Sequence, residues 1–469
     1  MTQQDSQKIF YLVGVATVGL LLLCSAIFFK ERMLFVDPAF ITFEIIQQDW
    51  FVFSEHRYGA FITQIFPLVA SQLGLPLSVV LLVYSMSFYL FFGAVLLSCG
   101  HYLKQYRLST LFCCYLTFFV SDVYFWPNNE VHQAVAYMIG FLGLFSYARG
   151  QVWQVPIVVH GAMAALIWLA TLSHLLVAVP LGFLWTYLFL DQLPQTRKTW
   201  KFLITYSLLI VGYVGLRYWM SKESWYDGSK LDGVQTASFT KIVSAITNDQ
   251  SLSFLRLLIT QYWITALLCI IGLIKLLKDG SFLKFGLTIG SICVYYLLVV
   301  LTHSAEITAQ NLFYFESQWM CLSVIMATPF VFEVVPSIKT KQVVLWLGVA
   351  IFLLQLPKMY TSLQKFQTRL DKLHTVVAKC QARSINKGII NDSPQLEEDF
   401  LMTWGLPIES LLLSTMESGQ TVTTKPLNTE IKHTTAKDSI YTCFDFIPLS
   451  ELDDRYFELS DEEGYRRFD

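Results

Sequence analysis

The chain has 469 residues, of which 54% are hydrophobic and 14% are charged, and its formal net charge is −2 at pH 7. Soluble globular domains carry charge on about a quarter of their residues, so this composition excludes an ordinary soluble domain and predicts a polytopic membrane protein. Its aromatic content of 15% fits the same class, because Trp and Tyr favour membrane interfaces. The near-neutral charge gives no basic field for nucleic acid, which is therefore excluded as a partner.

Long apolar runs predict about eleven transmembrane helices, since a span needs about 20 mostly apolar residues. The predicted spans are residues 9–29, 76–99, 108–121, 131–148, 154–172, 175–191, 201–219, 255–274, 283–302, 312–334 and 342–357. The first run is too long for the apolar core of a signal peptide and is expected to be retained. The predicted fold is an all-α polytopic membrane protein, with a transmembrane domain over 1–357 and a C-terminal domain over 358–469.

Basic residues in the short loops predict the orientation, because Lys and Arg are enriched in cytoplasmic loops. Five basic clusters follow the even-numbered spans, and they are represented by Arg107, Arg149, Arg197, Lys278 and Lys339. All five fall on one side, which puts the N-terminus in the cytoplasm. An odd number of spans then puts the C-terminus outside. A bacterial inner membrane is expected, because the chain carries no obvious eukaryotic targeting signal.

Residues 30–75 form an unusually long connection on the predicted outer face. Two amphipathic stretches, DPAFITFEIIQQDW and RYGAFITQIFPLVASQLG, predict helices that lie in the membrane interface. Asp37 suits a helix start, with Asp37 as the N-cap and Pro38 at the first helical position. At the outer mouth of the first span it also suits a general base. Glu44, seven residues on, lies on the same helical face and is a second candidate.

Two further polar clusters lie at predicted outer span ends. Glu130 and His132 begin the fourth span in SDVYFWPNNEVHQAVAYM, where they could bind a divalent metal. The alternative is that Glu130 only faces the helix dipole. His303 precedes the tenth span, and Glu316 lies about one and a half turns inside it. Ionisable groups at that depth are candidate sites, and a buried structural pair is the alternative for Glu316.

Arginines on the predicted outer face are candidates for binding phosphate. Arg57, Arg217 and Arg256 are unusual there, because Arg beside spans is mostly cytoplasmic. The guanidinium group presents a fork that matches phosphate oxygens. Contact with ordinary lipid headgroups is the alternative.

The C-terminal tail changes character after residue 357. Residues 358–384 predict an amphipathic helix, with Leu363, Phe366, Leu370, Leu373 and Val377 on one face. The remainder predicts a small extracytoplasmic domain of α/β or mixed class. Cys380 and Cys443 are the two cysteines of this tail, and they either form a disulfide or remain two free thiols.

Taken together, this pattern resembles the GT-C superfamily of polyprenyl- or dolichyl-phosphate-sugar-dependent membrane glycosyltransferases, over roughly residues 9–357. The resemblance rests on the cytoplasmic N-terminus, the long first outer loop with two interfacial helices, the acidic Asp37 close behind the first span, and the extracytoplasmic tail. It implies transfer of a sugar, with inversion, from a lipid phosphate carrier to an outer-face glycan, lipid or protein. It also implies that Asp37 is catalytic and that Arg57, Arg217 or Arg256 holds the carrier phosphate.

The chain departs from the superfamily at one point and leaves other functions open. Many members carry a paired acidic motif where this chain has Asp37-Pro38. A glycan polymerase or ligase fits the same features, and so does a non-enzymatic transporter or membrane assembly component. Transporters usually place polar groups in the middle of spans, whereas these lie at outer span ends. That position favours chemistry on a lipid-borne substrate at the membrane surface.

Overall fold

A computed structural model describes residues 2–128, 130–149, 155–191, 196–303, 307–308, 310–391, 393–427, 437–459 and 464–468. The apolar sequence folds mainly into α-helices, because within a bilayer a helix satisfies its own backbone hydrogen bonds. The prediction of a helical, multi-pass membrane protein is confirmed at this level.

The described residues contain twenty α-helices, numbered here in chain order. The helices up to residue 260 are α1 (Gln3–Ile27), α2 (Phe29–Met33), α3 (Val36–Gln48), α4 (Phe61–Gln72), α5 (Leu77–Leu97), α6 (Tyr106–Tyr115), α7 (Glu130–Arg149), α8 (Ile157–Ser173), α9 (Ala178–Asp191), α10 (Arg197–Glu223), α11 (Trp225–Gln235), α12 (Phe239–Ile246) and α13 (Asp249–Thr260). The remaining helices are α14 (Trp263–Lys278), α15 (Phe282–Thr302), α16 (Leu312–Pro329), α17 (Lys341–Leu353), α18 (Leu356–Ala382), α19 (Pro394–Phe400) and α20 (Leu406–Ser418).

Fewer helices than predicted are long and apolar enough to cross a membrane. Within the described residues, the seven that qualify are Gln3–Ile27, Leu77–Tyr102, Glu130–Arg149, Thr199–Glu223, Phe282–Thr302, Leu312–Ser337 and Lys341–Ala382. α13 and α14 together make an eighth candidate that is bent by 83°. Ile157–Ser173 and Leu175–Asp191 are apolar but shorter. By length and composition, seven or eight of the described helices or helix pairs can each cross a membrane.

The predicted span 108–121 accounts for part of this difference. α6 is only ten residues long, and after Tyr115 the chain leaves the α-helix and makes a 3-10 turn over Asp122–Phe125. Glu316 of α16 accepts a hydrogen bond from the backbone N–H of Val123 at 2.8 Å. A side chain from a distant helix thus satisfies a donor that a continued helix would satisfy itself, and apolar periodicity gives no sign of it.

Both helices predicted within residues 30–75 are present, as α3 and α4, but their surroundings differ. α3 is largely buried, and it packs against α20 of the C-terminal region. α4 and its C-cap leave a set of apolar side chains exposed, namely Ile65, Phe66 and Val69 on the helix and Leu73 at the cap. α4, rather than α3, therefore has the apolar surface expected of a helix that lies on a bilayer.

The amphipathic helix predicted after residue 357 is confirmed as α18. Four of its five predicted apolar side chains are buried, namely Phe366, Leu370, Leu373 and Val377. Beyond it, β1 (Lys387–Ile390) pairs in parallel with β2 (Thr423–Pro426) and β5 (Arg466–Arg467), in the order β2-β1-β5. β3 (Ser439–Tyr441) and β4 (Phe446–Pro448) form an antiparallel pair. Phe366 and Leu406 share one core with Phe35, so apolar packing is continuous across residues 357 and 358. The domain boundary between these residues stays a prediction.

Of the two alternatives for the tail cysteines, the disulfide is wrong in this structure. Cys380 and Cys443 are both free and buried. Cys380 packs in a small cluster with Val422 and Phe468, whereas Cys443 belongs to the main core. The two thiols are held by different packing environments, which keeps them unpaired.

Polar side chains surround cavities at both ends of the helical bundle. One cavity includes Asp37 and Glu130 in its wall, and the other includes Arg149 and Asp191. We call these the cavity end and the opposite end. α7 runs from Glu130 to Arg149, and its 20 residues separate the two ends by about 30 Å.

Candidate functional site

The larger cavity has a volume of about 620 Å³, which lies in the range of small-molecule binding sites. Its wall combines charged groups with many aromatic rings. The ionisable side chains are Asp37, Glu55, Arg57, Glu130, His174, Asp227, Lys230 and His303. The aromatic side chains are Phe40, Trp126, Trp225, Tyr226, Tyr314, Trp404 and Phe444. Such a wall suits a ligand that has both flat apolar faces and charged groups.

Asp37 lies in the cavity wall and does not cap its helix. α3 begins at Val36, its N-cap is Phe35, and no side chain caps it. The carboxylate Oδ2 of Asp37 instead accepts a hydrogen bond from Nε1 of Trp126 at 2.7 Å. Within the described residues, no other side chain or backbone group of another residue donates to Asp37. The N-cap prediction is therefore wrong, because the carboxylate is turned toward the cavity.

The surroundings of Asp37 favour its protonated form. Burial raises the pKa of Asp37 to about 6, the Trp126 hydrogen bond opposes this change, and the nearby charge of Glu130 adds to it. A carboxylate that titrates near 6 is ionised at neutral pH and is still basic enough to accept a proton. General bases are commonly adjusted in this way.

Arg57 connects two carboxylates across the cavity wall. Its Nη1 lies 3.0 Å from Oε2 of Glu130, and its Nη2 lies 2.9 Å from Oδ1 of Asp227. Arg217 binds the other oxygen of Asp227, with 2.7 Å between Nη2 and Oδ2. Burial alone would lower the pKa of Arg57, but the two carboxylates raise it overall. Two of the three arginines predicted as phosphate ligands, Arg57 and Arg217, are thus already paired with carboxylates, and the buried Arg217 does not line the cavity.

Lys230 is the cavity cation whose charge is least compensated. Among the described residues, no carboxylate lies within ion-pair distance of its ammonium group, whose Nζ is 3.7 Å from the ring centroid of Tyr226. Burial, followed by repulsion from Arg57, lowers the pKa of Lys230 to about 8. An anionic group entering the cavity would relieve both effects, so Lys230 is the strongest candidate for contact with a phosphate.

His303 lines the cavity, and its ring is hydrogen-bonded to its neighbour. Its Nδ1 lies 2.8 Å from Oγ1 of Thr302. Burial, together with the charge of Lys230, lowers the pKa of His303 to about 3, so the imidazole is neutral. A neutral imidazole can hydrogen-bond a ligand but does not add to the positive charge. Glu306, three residues after His303 in the sequence, lies outside the described residues.

His132 lies outside the cavity, and the predicted metal pair is not formed. It follows Glu130 by two residues, which places it on another face of α7. Its Nδ1 lies 3.2 Å from the hydroxyl oxygen of Tyr115, and its ring is buried in the core. Over the described part of the chain, no group of three or more His, Cys, Asp or Glu side chains is arranged to hold a metal ion.

Glu316 is a buried structural residue, which was the alternative to a role in the functional site. It is fully buried away from the cavity and accepts hydrogen bonds from Ser121, from the backbone N–H of Val123 at 2.8 Å and from the hydroxyl of Tyr262 at 2.6 Å. Tyr262 lies between α13 and α14, where the predicted span 255–274 is bent. Glu316 therefore ties this bend to the non-helical segment after α6.

Two further predicted residues lie outside the cavity. Arg256 is exposed on α13. Glu44 is on α3 but does not line the cavity, and its Oε2 accepts a hydrogen bond from Nε2 of Gln48 at 2.5 Å. Asp37 and Glu44 lie on the same face of α3, but only the first residues of this helix line the cavity, so Glu44 does not reach it.

The site also contains groups that the sequence did not single out as binding residues. Asp227 and Tyr226 begin α11, and Trp126 lies just before α7. Asp227 meets Arg57 across 170 positions of sequence, so no local spacing relates them. The sequence contains one feature that points to these groups. It is the polar segment after the seventh predicted span, which carries Lys230 on the predicted outer face.

In comparisons with known proteins, no protein-family model, no curated protein and no solved structure matches the chain.

Proposed function

We propose that this protein is a membrane glycosyltransferase that moves a sugar from a polyprenyl-phosphate carrier to an acceptor, with inversion at the anomeric carbon. The observation that carries the proposal is that Asp37 and Lys230 line one aromatic-walled cavity. Aromatic rings offer flat apolar surfaces to a sugar, while a few polar groups fix its orientation. The acceptor is an outer-face glycan, lipid or protein.

Asp37 is the general base in this proposal. The acceptor oxygen forms a bond to the anomeric carbon while the bond from that carbon to the carrier phosphate oxygen breaks. The hydroxyl proton of the acceptor passes to Asp37, and the phosphate oxygen keeps the electron pair. Attack from the face opposite the leaving phosphate inverts the configuration. A pKa of about 6 for Asp37 supports this role at neutral pH.

Lys230 contacts the carrier phosphate in this proposal. Arg57 lines the cavity, whereas Arg217 is buried outside its lining. Each arginine is already bound to Asp227, which limits its reach toward a ligand. Lys230 has no such partner among the described carboxylates, and a compact ammonium group binds phosphate as a point charge. Arg256, which is exposed outside the cavity, has no part in this proposal.

We further propose eleven membrane crossings, with the cavity end outside the cell and the N-terminus in the cytoplasm of a bacterial cell. The seven long helices and the bent pair give eight crossings. Three more come from α8, the stretch Leu175–Asp191 and the segment 106–126. The segment 106–126 is counted as a crossing because Arg107 lies at the opposite end of the bundle and Trp126 at the cavity end. Lys104, Arg107, Arg149 and Lys284 gather at the opposite end, as expected for a cytoplasmic face.

The test is replacement of Asp37 by Asn in the full-length protein, with lipid-linked sugars and glycans analysed from the cells that normally make it. The proposal predicts loss of product and accumulation of the lipid-linked donor, at unchanged protein level. Glu44→Gln is the matched control, because Glu44 lies on the same helix outside the cavity. Normal product from the Asp37→Asn variant contradicts the proposal and favours a transporter or assembly component.

A further inference from the structure

The opposite end of the bundle holds a second polar cavity, of about 170 Å³, that plays no part in the proposed transfer. Its wall includes Lys104, Arg107, Arg149 and Asp191, together with the side chain of Gln7 from the start of α1. Because α7 separates it from Glu130 by about 30 Å, its ligand cannot contact the groups around Asp37.

The charge in this second cavity is positive. Asp191 is the one carboxylate in the described part of its wall, and it is already shared. Its oxygens lie 3.1 Å from Nη1 of Arg107 and 2.7 Å from Nζ of Lys284. Lys104 and Arg149 therefore form no ion pair with the carboxylate in the described wall.

Arg149 is the group that most clearly lacks a partner. It is the last residue of α7 and is half-buried, and it makes no hydrogen bond or ion pair with any residue that the structure describes. Ser146, three residues earlier, also lines the cavity, and its hydroxyl has no partner in the described chain. A guanidinium group has five N–H donors in a planar fork, which matches the oxygens of a phosphate.

Lys104 is held in an unusual backbone conformation beside the cavity. Its φ is +58°, in the left-handed region that side chains other than Gly, Asn and Asp rarely adopt. Such conformations persist where the surrounding structure requires them, and they concentrate at functional sites. Here the turn joins the end of α5 to α6 and brings both Lys104 and Arg107 to the cavity.

We propose that this second cavity binds a phosphate group. Its wall also includes the apolar side chains of Leu108, Phe145, Leu188 and Phe332. Two exposed rings are near in sequence, Tyr102 in the turn after α5 and Tyr147 on α7. Exposed aromatic rings at the ends of spans are typical of the headgroup level of a bilayer. The same chemistry is offered by the headgroup of an anionic lipid and by free phosphate, and the position favours the lipid.

Native mass spectrometry of the purified full-length protein, exchanged into phosphatidylglycerol or phosphatidylcholine, tests the lipid source. The proposal predicts retained phosphatidylglycerol in the wild type and at least tenfold weaker retention in Arg149→Gln. A parallel series measures the thermal unfolding midpoint in increasing inorganic phosphate. A second outcome is that inorganic phosphate stabilises the wild type but not Arg149→Gln, with no preferential retention of phosphatidylglycerol. That result would support the site and identify free phosphate as its ligand.

Lys278→Gln is the matched control, because it removes one positive charge at the end of α14 without touching the cavity. Lys104→Asn is the second variant, since Asn tolerates the left-handed conformation and the exposed position is safe for folding. It should weaken retention about threefold. Equal losses in the Arg149 and Lys278 variants, unchanged binding in both cavity variants, or no binding of either probe would overturn the proposal.

Discussion

The backbone N–H of Val36 donates a hydrogen bond to Oε1 of Glu409 at 2.7 Å, one residue before Asp37. The other carboxylate oxygen of Glu409 pairs with Arg369, whose Nη1 lies 2.7 Å from the carbonyl oxygen of Leu34. Val36 has a φ of +31°, which is strained for a β-branched residue. The C-terminal region thus holds the start of α3, and with it Asp37, in place.

Replacement of Glu409 by Gln should destabilise the protein strongly. It leaves the buried guanidinium of Arg369 without its charge partner, which costs about 3 kcal/mol in comparable cases. The thermal unfolding midpoint in detergent measures the loss, and Glu398→Gln, at an exposed position of α19, is the control. A midpoint equal to that of the control would show that the pair does not support the fold.

Replacement of Trp126 by Phe should raise the pKa of Asp37, because the indole hydrogen bond favours the ionised carboxylate. A hydrogen bond to a charged group contributes about 1.5 kcal/mol or more, so the acid limb of the rate should move up by about one pH unit. The pH dependence of transfer measures this change. Trp225→Phe is the control, because it alters the cavity wall without removing a hydrogen bond to Asp37, and it should leave the acid limb of the rate unchanged. An acid limb that is unchanged in both variants would contradict the assignment of this limb to Asp37.

The rate of transfer should depend on pH in a bell shape. It should rise as Asp37 loses its proton near pH 6 and fall as Lys230 loses its proton near pH 8, since a neutral amine no longer attracts phosphate. Lys230→Gln should remove the alkaline limb, raise the KM for the lipid-linked donor about tenfold and keep the acid limb. An alkaline limb that persists in Lys230→Gln would assign it to another group.

Asp37→Asn should make the protein more stable at pH 8 but not at pH 4. The pKa of Asp37 is higher in the folded protein than its usual value of 3.8, so burying the carboxylate reduces stability as the pH rises from about 4 to 6. The gain in the variant at pH 8 is about 1–2 kcal/mol, allowing for partial solvent exposure. Unfolding midpoints at the two pH values measure it, and equal effects at both would contradict the raised pKa.

Arg57 and Asp227 should be energetically coupled. Each of the variants Arg57→Gln and Asp227→Asn breaks a half-buried ion pair. Each should lower the free energy of unfolding by about 3 kcal/mol. The double variant should lose clearly less than the sum, because the second change then removes a charge that has already lost its partner. A double-mutant cycle on unfolding midpoints provides the measurement, and additive losses would mean that the pair is not a unit.

The sequence predicted those features that depend on local pattern. The apolar stripe of α18, the helices of residues 30–75 and the gathering of Asp37, Arg57 and Glu130 at one end of the bundle all follow from spacing and from span ends. These features require only that a helix bury its apolar face and that polar groups leave the apolar core.

The remaining features depend on contacts between distant segments. His132 and Glu316 lie at the predicted positions along their helices but on faces turned away from the cavity, and spacing alone does not say which face a neighbour covers. Asp227 reaches Arg57 only through the packing of α11. The short α6 and the bend before α14 likewise depend on the side chain of Glu316, which no local rule connects to them.

Asp37 can be tested as the general base of an inverting sugar transfer by incubating the purified full-length protein with a labelled polyprenyl-phosphate sugar and an extract of candidate acceptors at pH 7. The wild type and Glu44→Gln should both give labelled product of inverted anomeric configuration. Asp37→Asn should transfer the sugar at least a hundredfold more slowly, and its retained binding of the labelled donor would show that the cavity is intact. Transfer by Asp37→Asn at the wild-type rate, or product of retained configuration, would contradict this role.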